Sequence, residues 1–125
     1  MKSRESLVEA KRFLVKEKSR QLAQLDMMIA EFERMAGELD VQITAEEKKA
    51  GITDENHFAY PTFAKAARKR RDNLMESRRG LDEQRVAAEA ALAEAEAELA
   101  KAQMLETRDT RNRDSESNDK RAMIG

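Results

Sequence analysis

Apolar and polar positions along the chain recur with a helical period. Val8, Lys11, Val15, Lys18, Leu22, Leu25, Ile29, Phe32, Ala36, Leu39 and Ile43 follow one another at steps of three and four, and from Leu22 onward each is apolar. Sustained over about five heptads, this pattern predicts a supercoiled partner helix rather than an amphipathic helix on a globular core. Helix 1 is expected over about residues 4–50. Ser6 with Glu9 has capping-box spacing, and Thr44 with Glu47 repeats it in mid-helix, so the motif alone does not locate the start.

The stretch GITDENHFAYPTF, residues 51–63, interrupts the heptads. Gly51 suits the left-handed position that ends a helix, and Thr53, Asp54 and Asn56 favour turns and caps. Pro61 suits a first helical position, while Tyr60 before it is pushed towards extended geometry. Helix 2 is expected over about 61–107, with the seam Ala67, Arg71, Leu74, Arg78, Leu81, Arg85, Ala88, Leu92, Ala95, Leu99 and Ala102. This seam is weaker, with Arg and Ala where helix 1 has large apolar residues. After Thr107 the pattern fails, so residues 108–125 are expected to form a flexible polar tail.

Charge decides how the helices pair. Residues 5–20 carry five basic and three acidic side chains, and residues 22–47 carry one and seven. On helix 2, residues 64–89 carry eight basic and five acidic side chains, and residues 91–106 carry one and four. Folding back at the bend sets each acidic block beside a basic one, whereas a parallel self-pair of helix 1 sets its acidic block against itself. The expected fold is all-α: a two-helix antiparallel coiled-coil hairpin over residues 1–107, with its bend at 51–60.

Composition agrees. Aromatic residues are 4% and charged residues 39% of the 125, too little apolar bulk for a thick globular core. With 24 basic and 25 acidic residues there is no bulk attraction to nucleic acid or membrane. Cys is absent, which excludes disulfides and thiol catalysis. No apolar run approaches the roughly 18 residues of a membrane helix, so a soluble intracellular protein without direct membrane insertion is expected.

Candidate chemistry is sparse. His57 is the only His and has no second ligand at metal-binding spacing, so a polar turn role is expected, with no metal, cofactor or catalytic residue. Asp54 and Glu55 are expected to cap the turn. No phosphate-binding loop is present. Gly37 and Gly80 stand alone inside helices, as weak points or places of close approach.

The sharpest local feature is the cluster Lys65, Arg68, Lys69, Arg70, Arg71, Arg78 and Arg79. An ion-pair face towards the acidic block of helix 1 is the favoured role, and a partner-docking patch the second. Nucleic-acid binding is disfavoured because AKAARKRRDNL lacks the Asn-centred base-reading pattern. Met27, Met28 and Met35 are expected to fill the core beside the seam. Phe58, Tyr60 and Phe63 either pack together to lock the bend or are offered in part to a partner. Candidate partner-binding residues are thus Phe58, Tyr60, Phe63, Arg68, Lys69, Arg70 and Arg71.

Three stretches carry a family resemblance: the start MKSRESLVEAKRFLVKEKSRQLAQL, the central AEFERMAGELD and, most specifically, EEKKAGITDENHFAYPTFAKAARKRRDNL. Over about residues 1–107 the chain resembles the flagellar type III export protein FliJ family, in the form seen among alphaproteobacteria. The resemblance implies a monomeric hairpin like the coiled-coil shaft of rotary ATPases. It implies three partners: the hexameric export ATPase, which takes the end bearing both termini, the cytoplasmic domain of the export-gate membrane protein, and export chaperones. It also implies no ATPase activity, and a cytoplasmic location held peripherally at the inner membrane through the export apparatus. Family members contact the gate through aromatic and apolar residues near the middle and bend. Tyr60 and Phe63 match that pattern, whereas the aligned helix 1 positions carry Gln42, Ala45 and Lys49.

Overall fold

The computed structural model describes the backbone of residues 2–124 and the side-chain surroundings of residues 4–118. Two helices, α1 (Lys2–Ala50) and α2 (Thr62–Ile124), form an all-α two-helix hairpin. Ala, Glu, Lys, Leu and Arg dominate both and favour the helix intrinsically, and the single Pro lies outside them. Two compact units divide the chain: residues 23–87, which include the bend, and residues 1–22 with 88–125.

In the bend unit, Ile29, Ala36 and Ile43 of α1 and Ala64, Ala67 and Leu81 of α2 are buried. The expected seam positions between them, Leu25, Phe32, Leu39 and Leu74, are half-buried. Along one edge runs a ladder of ion pairs. Asp26, Glu33 and Asp40, seven residues apart on α1, meet Arg85, Arg78 and Arg71, seven residues apart on α2. Glu47, one heptad further on, meets Arg68. Over the first three rungs each heptad towards the bend on α1 is matched by a heptad towards it on α2, which is antiparallel register, and at the last rung Arg68, three residues from Arg71, reaches Glu47.

This explains the arginines in the weaker seam. The side chains of Arg71, Arg78 and Arg85 are 25%, 30% and 36% exposed, so their stems lie along the seam while the guanidinium groups reach the acids at its edge.

In the other unit Val8, Ala95 and Ala102 are buried. Lys11 Nζ lies 2.5 Å from Glu98 Oε2, and Arg4 Nε lies 3.0 Å from Asp109 Oδ2. Here too the basic start of α1 meets the acidic block of α2.

Several details differ from expectation. α2 does not end near Thr107: the Thr107 and Thr110 hydroxyls donate to the carbonyls of Gln103 and Glu106 one turn back, and the helix runs on to Ile124. Residues 110–118 are all exposed. The missing seam marks where packing stops. Residues 81–124 contain no Pro or Gly to stop the helix itself. α1 begins at Lys2, so Ser6 and Glu9 lie inside it and form no cap at its start. Met27 and Met28 do not fill the core: they are 66% and 47% exposed, and only Met35 is half-buried. Gly37 and Gly80 are exposed, and a Cβ on either meets nothing within 4 Å, so neither marks a close approach.

Candidate interaction site at the bend

The bend is built from its backbone outward. Gly51 has φ of 70°, the left-handed conformation that the sequence predicts. Its N–H and that of Ile52 both donate to Glu47 O, at 2.8 and 3.3 Å, which satisfies an orphan carbonyl at the end of α1. Asp54 Oδ1 then accepts from Asn56 N–H at 2.9 Å, and Asp54 O accepts from His57 N–H at 3.1 Å. Pro61 stands one position earlier than expected. Its carbonyl accepts the first helical bond of α2, from Lys65 N–H at 3.1 Å, so it is the cap and Thr62 the first helical residue.

His57 is a turn residue. Its Nδ1 accepts from Ala59 N–H at 3.0 Å, and its carbonyl accepts from Tyr60 N–H at 3.0 Å. Among the described residues no group of three or more His, Cys, Asp or Glu is placed to hold a metal ion.

The three aromatics do not form one cluster. Tyr60 is 7% exposed, and its hydroxyl donates to Glu47 Oε2 at 2.8 Å. Arg68 closes the arrangement. Its Nε donates to the Tyr60 hydroxyl at 2.8 Å, its Nη2 lies 2.9 Å from Glu47 Oε2, and its Nη1 pairs with Glu55. The guanidinium carbon also lies 5.9 Å from the Tyr60 ring centroid. The end of α1, the turn and the first two turns of α2 are thereby joined. The hydrogen bond from Arg68, with a second from Tyr60, holds the Glu47 carboxyl below its usual range, and Arg68 is raised by the same contacts. Desolvation is the main cause that pushes the Tyr60 hydroxyl up.

Phe58 and Phe63 face outward, 97% and 56% exposed, and Phe58 stacks on His57 with ring centroids 4.7 Å apart. The basic cluster divides in the same way. Arg68, Arg71 and Arg78 pair with acids of α1, and Arg79 pairs with Glu76 on its own helix. Hydrogen bonding to Asp40, ahead of that to Asp72, raises Arg71. Lys65, Lys69 and Arg70 are exposed, and no ion pair engages them among the described residues.

Of the seven candidate partner-binding residues, Tyr60, Arg68 and Arg71 are therefore held inside the fold, and Phe58, Phe63, Lys69 and Arg70 remain on the surface. The role of Glu47 escaped the sequence argument, and Glu55, expected to cap the turn with Asp54, pairs instead with Arg68 while Asp54 alone accepts a turn N–H. The heptad spacing of Asp26, Glu33, Asp40 and Glu47 against that of Arg71, Arg78 and Arg85 is the signal that leads to Glu47. Glu55, in an irregular turn, has no such signal. Comparisons with protein-family models, with curated proteins and with solved structures returned no match.

Proposed function

We propose that this chain is a component of the flagellar type III protein export apparatus, acting as a stalk and general export chaperone. In this proposal the end bearing both termini engages the hexameric export ATPase. The bend region meets the cytoplasmic domain of the export gate, and export chaperones dock on the same hairpin. The chain is then cytoplasmic, held peripherally at the inner membrane by these contacts, and it supports motility by presenting surfaces rather than by catalysis.

The observation that carries the proposal is the coincidence at the bend. The stretch EEKKAGITDENHFAYPTFAKAARKRRDNL, which bears the most specific family resemblance, is the part of the hairpin that keeps Phe63, Lys69 and Arg70 on its surface. Tyr60 also matches the family pattern, but its hydroxyl serves the fold, so Phe63 is the better docking anchor.

Purified protein is expected to bind the cognate export ATPase and stimulate its turnover, and deletion of the gene to abolish or impair swimming. Absence of binding together with full motility of the deletion strain would refute the proposal. The alternative is a coiled-coil adaptor or dimerisation protein without an export role. It is favoured by Met27 and Val41, two heptads apart on α1 and 66% and 70% exposed, which suit contact with a further helix.

A further inference from the structure

The outward side of α2 carries a second row at coiled-coil spacing. Val86, Ala90, Ala93, Ala97, Ala100 and Met104 follow one another at steps of four and three, and all are exposed. None belongs to the seam that meets α1. Val86 and Met104 are 67% and 72% exposed, and Met104 lies in a shallow groove with Ala100 and Thr107. Helix propensity accounts for the alanines, but not for two large apolar side chains held in water on one line.

Every charged residue between Val86 and Thr107 lies off this row. Glu94 and Lys101, seven residues apart, flank it on one edge, and Glu96 and Gln103, also seven apart, flank it on the other. All four are exposed. Among the described residues Glu94 and Glu96 enter no ion pair with α1, whereas their neighbour Glu98 is bound to Lys11. A second copy of the chain fits these edges. Laid parallel and in register, it sets Met104 against Met104, which holds the backbones apart where the alanines need them close. Laid antiparallel, with the twofold axis midway between Ala97 and Ala100, it seats Met104 on the second copy's Ala93 and Ala97 on its Ala100. Both edges then match: Glu94 falls beside the second copy's Lys101 and Glu96 beside its Gln103, and the symmetry makes each contact twice.

We propose that two hairpins associate reversibly and antiparallel through this outer row of α2, with Met104 seated on the second copy's Ala93 and Glu94 paired with its Lys101. Each hairpin stays folded within its own chain, so the monomer that the family resemblance implies holds only at dilution. The contact lies apart from the bend and does not rest on the export role.

The test is sedimentation equilibrium of the full chain over a range of concentrations, in which the mass is expected to rise from that of one chain towards that of two. Ala97→Glu places two carboxylates beside the axis and is expected to leave a single chain at every concentration. Glu94→Lys and Lys101→Glu are each expected to weaken association about tenfold, and the double exchange to restore it. All three side chains are exposed, so melting temperatures measured at dilution stay at the wild-type value and separate loss of association from loss of fold. A single-chain mass at every wild-type concentration, association that survives Ala97→Glu, or a double exchange no tighter than the single variants overturns the proposal. A monomeric wild type whose binding to the export ATPase is lost in Ala97→Glu would give the row to that partner instead.

Discussion

The Arg68 guanidinium lies 2.9 Å from the Glu47 carboxylate across the bend, with the Tyr60 hydroxyl bonded to both. Twenty-one residues of sequence separate the two charges, and the contact fixes where α1 stops relative to where α2 begins. It also divides the bend aromatics by role. Tyr60→Ala is expected to lower the melting temperature by several degrees, because a part-buried ring and two hydrogen bonds are lost together. Phe63→Ala is expected to leave the melt unchanged and, under the proposed export role, to weaken gate binding and export. Thermal circular dichroism beside a motility assay distinguishes them. A stable Tyr60→Ala protein with lost binding would reverse the assignment.

The same contact makes stability depend on acid. The folded-state value of Glu47 lies below its ordinary 4.5, so the unfolded chain binds the proton more readily than the folded one. The stabilisation is complete above the ordinary value and is lost as pH falls through the lower folded value. Glu98, held down by Lys11, acts in the same direction in the other unit. Melts of wild type and Glu47→Gln are expected to differ at neutral pH and converge in acid. A gap that persists in strong acid would exclude Glu47 as the cause.

Register is expected to follow the ladder. Glu33→Arg or Arg78→Glu alone sets like charges together along the seam, whereas the double exchange restores an attractive pair. Each single change should cost about 0.5 kcal/mol or somewhat more, and the double variant should recover most of it. Denaturant titration of the four proteins measures the coupling. Strict additivity would show that the pair contributes nothing to register.

Gly51 is a purely conformational requirement, since a Cβ there meets nothing within 4 Å. Gly51→Ala is expected to cost about 1 kcal/mol through its positive φ, Gly51→Asn less, and Gly51→Val more. The order of the three midpoints is the observable. Equal costs for Asn and Val would point away from backbone strain.

Much of this was legible in the sequence because long helices declare their period. The seam from Val8 to Ile43, the left-handed Gly51 and the antiparallel charge blocks needed only spacing and sign. Two features were hidden for different reasons. The end of packing near Thr107 resembles the end of a helix, since a seam reports burial whereas Pro and Gly report termination, and α2 has neither beyond Gly80. The division of Phe58, Tyr60 and Phe63 into one internal and two external rings depends on the turn backbone, where no period exists to be read.

The central claim is that one chain returns on itself as a two-helix hairpin, which the proposed contacts with the ATPase ring and the gate require. Spin labels at Ala10 and Ala100, both exposed in the same unit, measure this most directly when the labelled protein is diluted in unlabelled chain. Neighbouring helices lie about 8–10 Å apart, so a short distance that survives dilution is the predicted result. A separation on the order of 100 Å within one chain, with short distances appearing only between chains, is what an extended dimer gives and would contradict it.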